Sequence, residues 1–374
     1  MDSQALAQLF VFGFEGTSLP KDALSLLQKN AGGVILFSRN IEEVHQLTSL
    51  ITEIHSARHA DSFPLVSVDQ EGGRVQRLKN ICTPVPTMAT VGAAARHDKD
   101  IPYKLGALMG RELATLGFHL DFTPVVDVNS NPDNPVIGER AFDDNPEWVG
   151  RCGAGLIRGM QGAGVGACAK HFPGHGDTDT DSHYALPTLN HSLERLKAVE
   201  WPPFEAAIQA DVSSIMTAHV LFPELDNQWP ATLSPKILND ILIQQMAFDG
   251  LVFSDDLEMK ALADHHSLEE MIFRGLMAGV DIFLICKETQ WTEEAIHITQ
   301  RLVEQKRISP ERIQRSLDKI TRWKQRYMGQ PEPPNLDEIK TVIRCQPHLD
   351  WMASWAPSEP SKTARPWSPV EDQQ

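Results

Sequence analysis

The chain has 374 residues, 41% of them hydrophobic and 22% charged, with a formal net charge of −16. That length suits either two modest domains or one large α/β barrel, and no apolar run is long enough to span a bilayer. The acidity argues against nucleic acid or an anionic membrane as a partner, because both would be repelled. The N-terminus, MDSQALAQLFVFGFEG, has no basic region and no small-residue cleavage site, so it reads as part of the fold rather than as a signal peptide. Cys82, Cys152, Cys168, Cys286 and Cys345 are far apart, odd in number and without a CxxC pair, the pattern of reduced thiols in a cytoplasmic protein.

In chain order, short apolar runs occur at 9–14, 33–38, 65–70, 119–128, 165–170, 213–219, 250–255 and 280–285, which makes eight candidate strands. Segments with helical periodicity separate them: Ile41, Val44, Leu47, Leu50, Ile51 and Ile54 fall on one stripe. Asn145-Pro146, Ser234-Pro235 and Ser309-Pro310 each read as a polar cap followed by proline at the first helical position. Strand and helix alternating eight times predict a single (β/α)₈ TIM barrel over 1–328, with an open doubly wound sheet as the alternative. That alternative lacks its GxGxxG fingerprint, since the first run leads into GFEGTSLP. From 329 to 374 the chain is rich in proline and tryptophan, and we expect an extended tail rather than a second domain.

Most of the runs end in reactive residues, and in a barrel those ends share one face. The densest cluster is KHFPGHGDTDTDSH, 170–183. As a calcium loop it fails, because Ser182 stands at the turn glycine and Thr188 at the bidentate glutamate. Zinc through His171, His175 and His183 lacks the helix that presents HExxH, and three aspartates would repel a phosphate. Two readings stay open: a solvated Asp-rich loop, or acid–base chemistry in which Asp181 orients His183 across an extended Asp-Ser-His. At GLVFSDDLEM, Asp255 and Asp256 are either helix-initiating acids or a catalytic carboxylate with a structural neighbour. Alternation lets only one of them face the mouth, without saying which. Asp69, with Arg74 and Arg77 nearby, offers a carboxylate for paired hydroxyls beside guanidinium donors. Lys170 closes an apolar strand, where a lysine is unwelcome unless it lines the mouth, and Arg140 follows a turn-rich loop where a surface role is the plainer reading. Cations beside a carboxylate point to a sugar.

VDQEGGRVQRL (68–78), IGERAF (137–142), KHFPGHGDTDTDSH (170–183) and FSDDLEM (253–259), in this order, strongly resemble glycoside hydrolase family 3, and within it the NagZ-type β-N-acetylhexosaminidases that recycle peptidoglycan. The resemblance covers about 1–330. It implies a TIM barrel with Asp255 as nucleophile, His183 with Asp181 as acid/base dyad on a loop, and Asp69, Arg77, Arg140, Lys170 and His171 holding a terminal N-acetylglucosamine. It also implies a retaining exo-β-N-acetylglucosaminidase acting on GlcNAc-1,6-anhydroMurNAc muropeptides, without cofactor or metal and with a small sugar as its only partner. A neutral imidazole acid adds no second negative charge beside the nucleophile, which leaves phosphorolysis as a variant. A metal-dependent hydrolase and a non-catalytic sugar-binding barrel are the remaining rivals.

Overall fold

Runs of Val, Ile, Leu and Phe that can be buried on both faces favour a parallel sheet covered by helices. In the computed structural model, which describes residues 2–59, 62–178, 186–329 and 332–356, each of the eight runs contributes one barrel strand. These are β1 (Phe10–Phe12), β2 (Gly33–Leu36), β3 (Leu65–Val68), β4 (Leu120–Asp121), β5 (Gly166–Phe172), β6 (Ser214–Thr217), β7 (Leu251–Asp256) and β8 (Ile282–Ile285). All pairs are parallel, and the sheet closes where β1 meets β8 with Phe10 opposite Phe283. The chain is therefore a (β/α)₈ barrel. Among the described residues, no helix is long and apolar enough to cross a membrane.

Small hydroxyls tie neighbouring strands together without leaving polar atoms unmet. Ser67 donates to the Val34 carbonyl at 2.9 Å, Ser214 donates to that of Ala167 at 3.0 Å, and Ser254 accepts the Leu284 N–H at 3.0 Å. The fourth run is shorter as a strand than as an apolar run. Pro124 has no N–H for the ladder, and pairing resumes only as an isolated bridge between Val125 and Lys170.

The helices follow the sequence signals with two exceptions. Val44–Ser56 buries Leu47, Leu50, Ile51 and Ile54 and leaves Ile41 outside. Asn145 and Ser309 cap Pro146–Gly162 and Pro310–Tyr327 through their side chains. After Ser234-Pro235, however, Lys236–Gln245 is wound as a π-helix, a coil that an α-helical period does not describe. Helices Ile101–Leu116 and Pro146–Gly162 pack with their backbones in near contact: a Cβ on Gly159 would lie 2.0 Å from the Tyr103 carbonyl.

The region expected as an extended tail is helical over Leu336–Val342 and Gln346–Ala353. Asn335 caps the first through its side chain, and Pro347 stands in the first turn of the second. Buried Glu112 anchors them, accepting the Arg344 N–H at 2.9 Å and meeting His348 Nδ1 at 2.8 Å. Glu112 is also held by the Thr83 N–H at 2.8 Å and hydroxyl at 2.6 Å, so these contacts join the C-terminal helices to a carboxylate already fixed in the barrel's helical layer.

Helix Pro310–Tyr327 crosses the N-terminal face of the barrel. Its Ser316 donates to Asp281 at 2.5 Å, and its Lys319 bonds both Asp281 (3.2 Å) and the Gly250 carbonyl (3.0 Å). Asp281 also accepts the Val252 N–H at 3.1 Å. Removing one partner of a buried charge pair costs about 3–5 kcal/mol. Asp281→Ala is expected to lower unfolding stability by about that much in urea titration, with full-length chain still folded in buffer; a change under about 1 kcal/mol contradicts this anchoring role.

Candidate active site

At the C-terminal ends of the strands, a cavity is lined by Asp69, Arg77, Arg140, Lys170, His171 and Asp255, together with Glu71, His175, Asp256 and apolar side chains that include Phe37, Val136, Met216 and Met259. Six of the eight residues singled out from the sequence thus share one cavity. The other two, Asp181 and His183, lie outside the described residues, as does Asp179. Lys170 and His171 lie just before the end of β5, Asp69 follows β3, Asp255 is the next-to-last residue of β7, and Arg140 closes the helical turn Gly138–Arg140. Arg77 follows a small hairpin, Gln70–Gly72 with Val75–Gln76, whose turn uses Gly72 and Gly73 at positive φ.

The charges in the cavity are organised around a residue that the sequence reading left unassigned. Glu71 receives Arg140 Nε and Nη2, each at 2.8 Å, and Lys170 Nζ at 2.6 Å. The Lys170 ammonium also touches Asp69 at 2.7 Å. Two acids and two bases therefore form one neutral cluster. The Glu71 side chain is 2% exposed and that of Asp69 15% exposed, so Glu71 is scaffold and Asp69 remains open to a ligand. Burial would raise the Glu71 carboxyl, but Arg140 and Lys170 hold it well below the usual carboxylate range. Burial likewise works against the Lys170 charge, and Asp69 and Glu71 more than restore it.

Asp127 is a second organiser. It is buried at the end of the fourth apolar run, meets His171 Nδ1 at 2.7 Å and accepts the His175 N–H at 2.7 Å. That fixes the His171 ring, so that its Nε2 is the nitrogen left to face the cavity. His175 is occupied differently: its Nδ1 meets Thr178 Oγ1 at 2.9 Å, and burial followed by the neighbouring His171 lowers its pKa to about 4. It belongs to the scaffold of the segment that leads toward 179.

Both aspartates of SDD border the cavity, where alternation had allowed only one. The pairing of β7 with β8 slips between Ile282 and Leu284, which breaks strict alternation at that point. The two differ in environment. Asp255 is half-buried. Burial would raise its carboxyl, and His219, His171, the Asp256 N–H and Lys170 together pull it below its ordinary value, so it is a carboxylate at neutral pH. Asp256 is buried and accepts the N–H groups of Glu258 (3.1 Å) and Cys286 (3.2 Å). Burial and the nearby Glu258 charge push it up to about 7. The His219 ring is held between Thr232 Oγ1 at 2.8 Å and the Asp256 carbonyl at 2.9 Å.

A pre-charged carboxylate at the mouth of a parallel barrel, beside a cation-balanced polar wall and an apolar floor, is the arrangement of a barrel enzyme that acts on a polyhydroxylated substrate. The family model described as glycosyl hydrolase family 3 N terminal domain matches residues 4–323. A β-hexosaminidase of Hydrogenovibrio crunogenus is 38% identical over 287 residues, covering 75% of this chain and 79% of that protein. Among solved structures, a family 3 β-N-acetylglucosaminidase from a Paenibacillus species superposes with a TM-score of 0.84 at 38% identity, over 91% of this chain and 67% of that one. NagZ from Neisseria gonorrhoeae, in complex with N-trifluoroacetyl-D-glucosamine, superposes with a TM-score of 0.76 at 29% identity, over 93% of this chain and 98% of that one. The chain belongs to glycoside hydrolase family 3 and is a glycosidase.

The raised Asp256 pKa carries a sign. The fold prefers the protonated form, so its contribution is complete below the ordinary value of 3.8 and is lost as pH rises through about 7. Asp256→Asn keeps an acceptor for both N–H groups without the charge. Stability measured by denaturant titration between pH 4 and pH 7 is expected to decline less in Asp256→Asn than in the parent; parallel profiles contradict the assignment.

Proposed function

We propose that the protein is a retaining exo-β-N-acetylglucosaminidase that releases terminal N-acetylglucosamine from GlcNAc-1,6-anhydroMurNAc muropeptides in cell-wall recycling. The observation that carries this reading is Asp255: a half-buried carboxylate kept ionised by its surroundings, in the same cavity as Asp69, Arg77, Arg140, Lys170 and His171. The relatives described as β-hexosaminidase and the neighbour bound to an N-acylglucosamine analogue support the choice of sugar.

In this reading the Asp255 carboxylate attacks the anomeric carbon while His183, oriented by Asp181, protonates the departing glycosidic oxygen. The glycosyl–Asp255 ester is then attacked by water, which gives up its proton to His183, and the sugar leaves with its configuration retained. Asp69 accepts from sugar hydroxyls, while Lys170, Arg140, Arg77 and His171 fix the ring over the apolar floor. Glu71 and Asp127 act only through these residues. Lys170 and Arg140 must stay charged and in place when the site is empty, and Glu71 provides for both.

Asp255→Ala is expected to reduce kcat for p-nitrophenyl N-acetyl-β-D-glucosaminide by roughly 10⁴-fold or more. His183→Ala should lose about 10²–10⁴-fold on substrates with poor leaving groups and far less on the nitrophenyl substrate, because only a poor leaving group needs the proton. Equal loss on both contradicts the acid role of His183. Assayed in phosphate buffer, the product is expected to be free N-acetylglucosamine; its 1-phosphate would indicate phosphorolysis. Activity should survive dialysis against a strong chelator, whereas loss restored by zinc would favour a metal-dependent hydrolase.

A further inference from the structure

The opposite end of the barrel gathers basic groups that the proposed reaction does not use. A cleft of about 520 Å³ opens there, lined by His55, His119 and Arg111 among others. His55 lies in the last turn of helix Val44–Ser56; it is 7% exposed, and among the described residues neither ring nitrogen has a hydrogen-bond partner. A buried polar side chain left unmet is uncommon in a folded protein and calls for an explanation such as a bound water or ion. His119 precedes β4 and accepts the Val66 N–H at Nδ1, 3.1 Å away. That places its own proton on Nε2, so the ring is a hydrogen-bond donor and a poor metal ligand. The two rings lie 5.2 Å apart.

Near them is Lys324, whose ammonium is held only by neutral acceptors, Gln8 Oε1 at 2.8 Å and the Phe63 carbonyl at 2.9 Å. Among the described residues no carboxylate pairs with it. Burial lowers Lys324 to about 7 and His55 to about 4, and burial together with the charges of His55 and Lys324 lowers His119. His55 and Lys324 thus add to the burial that lowers His119, with no acid among the causes. Glu332 and Glu338 also line the cleft, and both are exposed, as is Arg111.

We propose that this cleft binds a small oxyanion, a phosphate or carboxylate group, which accepts hydrogen bonds from His55 and His119 and balances the buried Lys324. The inference stands apart from the sugar chemistry, because the cleft is on the N-terminal face of the barrel and the sugar cavity on the C-terminal face. A ligand that binds only the folded state raises Tm in a saturable way, whereas excluded salts raise it steadily with concentration. Full-length protein would be melted across a series of sodium phosphate and of sodium acetate concentrations, with sodium chloride at matched ionic strength as the reference.

The expected result is a saturable Tm increase with phosphate, with acetate or with both, and the stronger of the two identifies the oxyanion class. His55→Leu should abolish the saturable part while leaving glycosidase turnover intact. Arg111→Met, an exposed change that does not threaten folding, removes a cation from the cleft lining and should raise the half-saturating concentration by about threefold or more. A response that never saturates with either salt overturns the proposal, as does a saturable response that is unchanged in His55→Leu or in Arg111→Met.

Discussion

The sugar-side architecture depends on one buried carboxylate. Glu71 leaves β3 on a hairpin, and its two oxygens gather a guanidinium from the 138–140 turn and an ammonium from the end of β5. Three loops that are remote in sequence are thereby drawn to one place. A lone glutamate at that depth would be neutral, and lone cations there would be expelled; together they can be sealed from water. Asp69 then shares the same lysine but keeps its exposure, which divides the two acids into one sealed in the wall and one open to the cavity.

The same economy recurs around Asp127 and Asp256. Each is buried and spends its oxygens on backbone N–H groups: Asp127 on those of His171 and His175, Asp256 on those of Glu258 and Cys286. Asp127 stands behind His171, outside the cavity lining, whereas Asp256 borders the cavity beside Asp255. Buried carboxylates thus fix the backbone that carries the cavity-facing groups. Such support is what holds reacting groups within the narrow tolerance that catalysis requires.

The barrel was largely legible in the sequence because its strands are short apolar runs that end in reactive residues, a pattern set by burial below and solvent above. Residues that line the cavity stand out on the same grounds: Lys170 and Asp255 interrupt apolar runs without local compensation. Glu71, Asp127 and His219 were given no role, since their partners come from other loops and only the folded chain supplies them. The start at Ser234-Pro235 was legible, but the π winding of Lys236–Gln245 was not, and the helices after 335 were read as extended chain. Gln346–Ala353 is tied to the barrel by the contact of His348 with Glu112, a partner remote in sequence.

Helix Pro310–Tyr327 has a consequence for how the chain acquires its structure during synthesis. It joins residues from both ends of the sequence, with Lys324 on Gln8 and Lys319 on Gly250 and Asp281. β1 likewise has one of its two neighbours in β8. A nascent chain still short of residue 282 would have β1 and β7 as open edges, each a template for unwanted pairing. Closure of the sheet therefore waits for β8, in the last third of the chain, and until then two strand edges stay exposed.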